Sequence, residues 1–293
     1  MPDLLPQELR ILVAVADSGG FSAAAAALGL TQSAVSHAVR GSETKVGAVL
    51  FERGRAGATP TPAGERAVAL ARRILRMYEV LGAEVRGEGR GAGRGAVEGV
   101  LRIAAFRSAA LHLLPPALER LTARHPGIRP EVRVVREIGA GTAGEVAAGR
   151  ADLGIATLGG SQDVAPGLLT GVLTQEAYRL VHPAGHPDPK GLPLMDWDEN
   201  CGSYTRSWWR AQDWIPRATV KAEDDAMVLT MVGRGLGMAI MPELSLREAT
   251  EAVDITDLGP AGPVRQVGYV TTAESASTLA VRALIRELRS EKG

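Results

Sequence analysis

The sequence predicts a small all-α winged helix-turn-helix domain followed by a two-lobed α/β domain. Three observations lead to this fold class. Phe21–Gly64 has the pattern of two short helices joined by a glycine-containing turn, with a strand and a tight turn after them. Gly87–Gly95 consists of five glycines, three charged residues and one alanine, which is typical of a flexible linker. Beyond this linker, strand-like and helix-like segments alternate, as they do in α/β domains.

The composition is that of an ordinary globular protein and argues against disulfide-rich and membrane-spanning classes. Of the 293 residues, 45% are apolar and 23% are charged. Cys201 is the single cysteine, which excludes an intrachain disulfide and fits a reducing compartment. No apolar run approaches the roughly 18 residues of a membrane helix, and the N-terminus lacks a basic stretch followed by an apolar one. We therefore expect a cytoplasmic protein with no membrane partner.

Three helices are predicted in the N-terminal domain. The first, about Pro6–Asp17, has four apolar residues at the spacing of one helix face, namely Leu9, Leu12, Val13 and Ala16. Ser22 can cap the second helix, and Gly29 can end it in the left-handed conformation. Thr31 can cap the third helix, about Gln32–Val46. We expect the first helix to pack against the other two.

The third helix presents a polar face that suits contact with DNA. Val35 and Val39 are spaced i, i+4 and therefore point to the core. Five polar residues fall largely on the other face: Gln32, Ser33, Ser36, His37 and Arg40. A helix of this kind fits the major groove of B-DNA. There Gln and Arg read adenine and guanine through paired hydrogen bonds, and Ser or Thr contacts phosphate.

A wing is predicted after the third helix. Leu50–Arg53 has the pattern of a short strand, and Gly54–Thr59 has that of a tight turn. Thr61, which precedes a proline, opens the next helix as its cap. Arg53 and Arg55 are then placed to meet a phosphate backbone.

At these residues the chain resembles the LysR-type family of bacterial transcriptional regulators. The matching residues, with the family's spacing intact, are Phe21, Ser22, Ala24, Ala25, Leu28, Thr31, Gln32, Ala34, Val35, Ser36, Arg40, Glu43, Gly47, Leu50, Phe51, Arg53, Thr61, Pro62, Gly64 and Glu65. The DNA-binding positions that we carry over or infer are Ser22, Thr31, Gln32, Ser33, Ser36, His37, Arg40, Arg53 and Arg55. The resemblance implies four partners: double-stranded DNA, a small-molecule effector, other copies of the chain as a dimer or tetramer, and RNA polymerase. It implies no cofactor.

The third helix also departs from the family pattern. Ser33 stands where the family often has proline, and His37 where it usually has arginine. Gly41 and Ser42 stand where a helix former and a leucine are usual. Glycine inside a helix costs about 0.5–1 kcal/mol relative to alanine, and Ser42 lies seven residues after Val35 and so should point inward. We therefore expect the second half of this helix to fray or bend.

The charge balance leaves an alternative function open. The chain has 33 basic and 33 acidic residues, and residues 1–64 carry five of each. Because DNA affinity rests on phosphate neutralisation, one neutral domain should bind weakly and two or more would be needed. The alternative is a small-molecule-binding or catalytic α/β protein whose N-terminal helices only mediate assembly. The polar helix face and the wing favour the regulator.

A long helix is predicted from Pro62 to about Gly87, and it carries two apolar stripes. One follows a heptad spacing: Ala67, Leu70, Ile74, Met77 and Leu81. The other consists of Val68, Ala71, Leu75 and Tyr78. One stripe can cover the N-terminal domain and the other can meet the same helix of a second subunit, although an ordinary core helix would show similar spacing. The predicted domains are residues 1–64, a linker helix with a glycine hinge at 65–95, and a regulatory domain at 96–293.

Two α/β lobes are predicted after the hinge. The strand-like segments are Val100–Phe106, Ile128–Glu137, Ala151–Leu158, Ala177–His182, Thr219–Ala222, Gly237–Pro242 and Val264–Thr271. The helix-like segments are Leu111–His125, Thr142–Ala148, Ser207–Gln212, Asp225–Arg234 and Thr278–Arg289. This alternation predicts a parallel sheet flanked by helices. The two lobes resemble the periplasmic-binding-protein fold, which the LysR family uses as its effector domain. Sequence segments such as LRIAAFRS, ADLGIA and GRGLGMAIMPE resemble those usual in the family.

The expected effector site lies between the lobes, where ligands of open α/β sheets bind. Ser108 matches the family position whose Ser or Thr contacts the effector, although it could equally be a plain helix cap. Arg107 is a candidate counter-charge for an anionic effector, or else a surface arginine. The remaining candidates are Thr142 and Thr157 from the first lobe and Ser203, Tyr204, Thr205 and Glu223 from the second. Trp208, Trp209 and Trp214 form either core packing or an aromatic wall for the effector.

No catalytic or metal-binding residues are predicted. His182 and His186 lack a further close pair of ligands for zinc, and Cys201 has no nucleophile signature. The GRGLG stretch at Gly233 lacks the third glycine of a dinucleotide-binding loop. The acidic run that begins at Glu223 is best explained as the start of a helix, where negative charge is favoured.

Overall fold

The N-terminal part of the chain folds as three helices and a two-stranded wing, followed by one long helix. The computed structural model describes residues 3–54, 57–88, 99–159, 167–199 and 208–290. The elements up to the long helix are α1 (Pro6–Ser18), α2 (Phe21–Leu28), α3 (Gln32–Val46), β1 (Phe51–Gly54), β2 (Gly57–Pro60) and α4 (Pro62–Glu88). Their shared core includes Leu12, Val15, Ala24, Val35, Val39, Leu50 and Val68, all buried. This confirms the predicted packing of the first helix against the next two.

The caps of α2 and α3 follow the prediction at two of the three predicted positions, Gly29 and Thr31, and Gly47 is a further cap that was not predicted. Gly29 and Gly47 end the two helices with φ values of 65° and 71°. Thr31 Oγ1 accepts a hydrogen bond from the Ala34 N–H at 3.2 Å and caps α3. The predicted cap at Ser22 is wrong, because α2 begins at Phe21 and Gly20 is its N-cap residue. Phe21 is buried in the core, so its packing sets the start of the helix and leaves Ser22 exposed in the first turn.

α3 runs without interruption through Gly41 and Ser42, so the expected fraying of its second half is wrong. Ser42 does point inward, as predicted, and is fully buried. Its hydroxyl donates to the Ala38 carbonyl oxygen at 2.9 Å, one turn back along the same helix. Because that bond satisfies the hydroxyl locally, a serine replaces a larger apolar residue here without breaking the helix.

The wing is a hairpin of two strands, whereas the sequence predicted one strand and a tight turn. β1 and β2 pair antiparallel, with Arg53 opposite Ala58. The hairpin is anchored to the end of α1, since the Ala58 N–H donates to the Gly19 carbonyl oxygen at 2.8 Å. Gly57 has a φ of 122°, and a Cβ there would collide with that same carbonyl oxygen, so only glycine fits.

One side of α4 packs on the N-terminal domain and another side is open. Val68 and Ala71 are buried, as expected for the covering stripe. Tyr78, predicted in that stripe, is 51% exposed and belongs with the open side. The open side carries large apolar residues along most of the helix: Leu70, Ile74, Met77, Tyr78, Leu81 and Val85.

The regulatory domain contains nine described strands and six α-helices. The strands are β3 (Gly99–Ala105), β4 (Ile128–Val134), β5 (Leu153–Leu158), β6 (Leu168–Pro183), β7 (Leu194–Trp197), β8 (Ala218–Ala222), β9 (Ala239–Pro242), β10 (Val253–Asp257) and β11 (Val264–Thr272). The helices are α5 (Arg107–His112), α6 (Leu114–Arg124), α7 (Gly141–Ala147), α8 (Asp225–Gly233), α9 (Ala273–Ser277) and α10 (Leu279–Arg289), with 3-10 turns at Pro189–Gly191 and Glu243–Glu248. The helix predicted at Leu111–His125 is thus two helices. The helix predicted at Ser207–Gln212 begins outside the described residues.

The sheet is mixed rather than parallel. In the first lobe β4, β3 and β5 are parallel, and β11 lies antiparallel between β5 and the first part of β6. The second part of β6 continues into the other lobe, where β9 and β10 pair with it antiparallel. A parallel pair, β7 and β8, completes that lobe. The parallel prediction fails because one 16-residue strand, β6, crosses both lobes and the chain returns along β11.

Each lobe has its own core. The first includes Leu101, Ile103, Leu114, Leu121, Ile155 and Leu284, and the second includes Val181, Met195, Val228, Val232 and Met241. Trp208, Trp209 and Trp214 pack against a further cluster around Leu180 and Ile240, which favours core packing for these tryptophans. The fourth tryptophan, Trp197, faces the space between the lobes.

Candidate functional site

The exposed face of α3 is the first part of the candidate site. Thr31, Gln32, Ser33, His37 and Arg40 are all exposed, at the cap and on the first turns of the helix. Their side chains offer hydrogen-bond donors and acceptors and one permanent positive charge. This is the arrangement that a helix needs in order to read base edges in the major groove.

Ser36 does not lie on that exposed face, which corrects the prediction. It is only 4% exposed, and its hydroxyl accepts a hydrogen bond from Arg53 Nη2 at 2.9 Å. The Arg53 guanidinium also lies over the Phe21 ring, 4.3 Å from its centre. Ser36 and Arg53 therefore tie the wing to α2 and α3, and Arg53 keeps an exposed surface. Arg55 lies outside the described residues.

The acidic residues of the N-terminal domain are largely occupied by internal partners. Glu8 pairs with Lys45 at 2.8 Å, and that hydrogen bond, with one from the Leu5 N–H, holds the pKa of Glu8 below its ordinary value. Asp17 pairs with Arg72 of α4. Glu43 accepts hydrogen bonds from the Leu50 and Phe51 N–H groups at 2.8 and 3.2 Å, and so positions the wing. Three of the five acids in this domain are therefore engaged in bonds that hold the domain together.

The second part of the candidate site is the cleft between the lobes. Phe106, Arg107, Ser108, Glu137 and Arg265 line it from the first lobe, and Trp197, Glu199, Asp225, Pro242 and Ser245 from the second. The lobes lie close together here, since the space among these residues measures only about 20 Å³, and this space is partly open to solvent. That volume is comparable to one water molecule.

Two ion pairs hold the lobes together across the cleft. Arg107 Nη1 lies 2.9 Å from Asp225 Oδ1, and the other oxygen of Asp225 accepts from the Ser245 hydroxyl at 2.6 Å. Arg136 Nε lies 2.8 Å from Glu199 Oε1. Arg107 was predicted as a counter-charge for an effector, but in this closed form its charge is matched by Asp225.

Glu137 is a cleft residue that the sequence did not single out. One of its oxygens accepts hydrogen bonds from the N–H and the hydroxyl of Thr142, and the other accepts from the Thr157 N–H at 3.3 Å. Burial of the carboxyl raises the pKa of Glu137 and outweighs these hydrogen bonds and the charge of Arg265, which lower it. Thr142 is fully buried, so it and the Thr157 N–H hold Glu137 in place behind the cleft lining.

Arg265 is a second unpredicted cleft residue. Its Nε donates to Glu176 Oε1 at 2.6 Å, and its guanidinium lies 4.9 Å from the centre of the Phe106 ring. Its Nη2 atom is buried without a hydrogen-bond partner. The alternation of side chains along β11 could have predicted that Arg265 is buried, because it lies on the same face of the strand as the buried Val267.

The other predicted effector residues divide three ways. Ser108 is 3% exposed and lines the cleft, as predicted. Glu223 has an exposed side chain outside the lining, and only its carbonyl oxygen takes part, accepting from Arg136 at 3.3 Å. Ser203, Tyr204 and Thr205 lie outside the described residues.

Within the described ranges, no group of three or more His, Cys, Asp or Glu side chains could hold a metal ion. In the same ranges, every helix is too short or too polar to cross a membrane.

Two family descriptions match almost the whole chain. "Bacterial regulatory helix-turn-helix protein, lysR family" matches residues 6–65, and "LysR substrate binding domain" matches residues 94–293. The probable HTH-type transcriptional regulator LrrA of Synechococcus elongatus is 33% identical over 294 residues, which cover 96% of this chain and 95% of that protein. This similarity sets aside the alternative of a binding or catalytic protein whose N-terminal helices only mediate assembly.

Two solved structures share the fold over nearly the full length. A full-length OxyR variant from Pseudomonas aeruginosa has a TM-score of 0.71 at 22% identity and covers 98% of this chain and 95% of its own. Full-length CbnR in complex with its target DNA has a TM-score of 0.63 at 19% identity and covers 98% and 99%. Together with the family matches, this fold places the chain in the LysR family, as a DNA-binding transcriptional regulator with an effector-binding domain and not as an enzyme.

Proposed function

We propose that two or more copies of the chain bind promoter DNA through α3 and respond to a small molecule that enters the cleft. The division of labour is a DNA-binding domain at residues 1–64, a dimerising helix and hinge at 65–95, and a regulatory domain at 96–293. The observation that carries this proposal is the exposed polar face of α3 beside the wing. The target-DNA complex of CbnR, a protein with the same fold, supports it.

Each polar residue of the DNA-binding domain has a role in this proposal. Gln32 and Arg40 contact base edges, because their side chains form paired hydrogen bonds with adenine and guanine. Arg53, with Arg55, contacts the phosphate backbone from the wing. Phosphate contacts also come from the remaining exposed candidates, Ser22, Thr31, Ser33 and His37. Ser36 acts indirectly, through Arg53.

The open side of α4 is the proposed dimer contact. Leu70, Ile74 and Leu81 are 51%, 45% and 59% exposed at heptad spacing. They border a groove of about 310 Å³. A second α4 laid along this groove would bury these side chains, as facing helices do in a coiled coil. Two joined DNA-binding domains make twice as many phosphate contacts, and this compensates for the weak affinity expected of one neutral domain. Tetramers form if two such dimers associate through their regulatory domains.

Contacts between α4 and the regulatory domain offer a route for the effector signal. Arg76 of α4 binds Asp152 at 2.8 Å, and Arg72 donates to the Ala148 carbonyl oxygen at 3.0 Å. Asp152 immediately precedes β5, whose far end carries the Thr157 N–H bonded to Glu137 in the cleft. One strand therefore connects the cleft with the dimerising helix. An effector that binds the open and closed lobes with different affinity would shift the position of α4.

The same proposal places the protein in the cytoplasm, where its DNA partner is, and beside RNA polymerase at the promoter. Fluorescence anisotropy of the full chain against DNA from upstream of its own gene tests the DNA-binding part. We expect saturable binding that weakens steeply as salt rises, because phosphate contacts release counterions. A folded dimer that shows no binding at low salt would refute it.

A further inference from the structure

Arg265 lines the cleft and carries a buried hydrogen-bond donor that has no acceptor. The residue is only 8% exposed, and its Nη2 atom has no acceptor although it is fully buried. A buried donor without an acceptor is costly, and such groups are rare in folded proteins. Glu176 and the Phe106 ring fix the rest of the guanidinium. The open N–H is therefore held in place for an anionic oxygen, and the hydroxyl-bearing Ser108 lines the same cavity.

Glu137 lines the same cavity, and its carboxyl calls for a positively charged partner. Its carboxyl is fixed by Thr142 and Thr157, and the charge of Arg265, which also acts on it, does not outweigh its burial. Burial raises the pKa of Glu137, so its charged form is disfavoured where it stands. A positive group placed beside it would offset that penalty.

The other charges of the cleft are already matched. Arg107 is paired with Asp225, and Glu199 with Arg136. A simple anion would satisfy Arg265 but would lie near the buried carboxyl of Glu137. A simple cation would satisfy Glu137 but leave the Arg265 donor open. A molecule with both charges matches both groups.

We propose, on the basis of the function given above, that the effector is a small zwitterion of the α-amino-acid class. Its carboxylate binds Arg265 Nη2 with Ser108 nearby, and its ammonium group binds Glu137. The cavity of about 20 Å³ is too small for such a molecule, so binding requires the Arg107–Asp225 pair to separate. Phe106 and Trp197, the aromatic residues of the lining, are then available to its side chain.

The test is a matched series of ligands on the full-length chain. Each of the twenty common L-amino acids is screened by thermal shift, and each compound that raises Tm is titrated by calorimetry. Every such compound is compared with its 2-hydroxy acid, which lacks the ammonium group, and with its amine, which lacks the carboxylate. We expect at least one amino acid to bind, and both analogues to bind roughly tenfold or more weakly, since each loses a charge-assisted hydrogen bond.

A pair of variants locates the ammonium group. Glu137→Gln should reduce affinity for the amino acid roughly tenfold while leaving the 2-hydroxy acid unchanged or tighter. Glu131→Gln, the same change at an exposed position on β4, should leave both affinities as they are. A 2-hydroxy acid that binds as tightly as its amino acid, or a screen in which no amino acid binds, would overturn the proposal. DNA anisotropy on the same preparation separates the two ideas: intact DNA binding with no amino acid bound contradicts only the effector class, whereas absent DNA binding contradicts the regulator function.

Discussion

Arg53 Nη2 donates to Ser36 Oγ at 2.9 Å, and this bond joins the wing to the recognition helix. The two residues lie 17 positions apart in the chain, and the bond forms at a buried hydroxyl. It fixes the distance between α3, the proposed base-reading helix, and β1, the strand proposed to face the phosphate backbone. The wing and α3 should therefore bind DNA as one rigid unit.

Removing this bond should weaken both the fold and DNA binding. We expect Ser36→Ala to lower the free energy of unfolding by about 1 kcal/mol, since one hydrogen bond to a charged, partly exposed group is lost. Urea unfolding of Ser36→Ala, Arg53→Ala and the double variant measures the coupling, which should be about 0.5–1 kcal/mol. Strictly additive effects would show that the bond contributes nothing to stability in solution.

A charge on the open side of α4 should separate the subunits. Ile74 is 45% exposed, so Ile74→Asp should leave the monomer folded while placing a carboxylate in the apolar contact. Sedimentation equilibrium should show a monomer, and affinity for promoter DNA should fall roughly a hundredfold or more, because one DNA-binding domain alone contacts fewer phosphates. Met227→Asp, at a side chain of similar exposure on α8, is the matched control. An Ile74→Asp protein that remains a dimer would move the interface elsewhere.

Breaking the ion pair between Arg107 and Asp225 should make both walls of the cleft more mobile. Asp225→Asn removes the charge that holds Arg107 and one of its hydrogen-bonded oxygens. We expect faster amide hydrogen exchange in α5 and α8. We also expect a red shift in tryptophan emission that is absent when Trp197, which is 5% exposed in the cleft wall, is replaced by phenylalanine. Emission and exchange identical to the unmodified protein would mean that the pair does not control closure.

Glu145 should make stability depend on pH on the acid side. A hydrogen bond from Arg150 holds the pKa of this carboxyl below its ordinary value of 4.5, against the opposing effect of burial. The charges of Arg150, Arg133 and Arg72 act in the same direction as that hydrogen bond. Because the folded-state pKa is the lower one, this stabilisation is complete above pH 4.5 and is lost as the pH falls through the folded-state value.

Glu145→Gln should therefore destabilise the protein by about 1 kcal/mol at neutral pH and much less at acid pH. Urea midpoints measured at several pH values from neutral to well below pH 4.5 report the difference. Glu131→Gln, at an exposed carboxylate, serves as the control. If Glu145→Gln lowered the free energy of unfolding by the same amount at every pH, the effect would come from packing rather than from charge.

Local chemistry allowed much of the DNA-binding domain to be predicted. Thr31 and Gly29 act through bonds within a few residues, so their roles are visible in sequence order. Ser22 was misplaced because the burial of Phe21, a tertiary effect, decides where α2 begins. Gly57 was missed as a strand residue because the reason for it is the approach of the Gly19 carbonyl oxygen, almost forty positions away.

Long-range pairing explains the errors in the regulatory domain. The alternation of segments predicted the two lobes and the strands β3, β4 and β5. It did not predict that β6 crosses from one lobe to the other. β10 was missed because only Val253 is buried and the strand forms by pairing with β6 at the sheet edge. In the cleft, Ser108 was found through the family resemblance. Arg265 and Glu137 were not, since an isolated charge in sequence does not show that it will be buried.

The central claim is that the exposed face of α3 reads DNA, and sequence preference tests it most directly. Anisotropy is measured for the unmodified chain and for the double variant Gln32→Ala, Arg40→Ala, each with upstream DNA and with a scrambled duplex of equal length. Arg282→Ala, an exposed arginine on α10, is the control. We predict that the unmodified chain and the control prefer the upstream DNA, and that the double variant binds both duplexes with similar, weak affinity. A double variant that keeps the full preference would show that another surface reads the DNA.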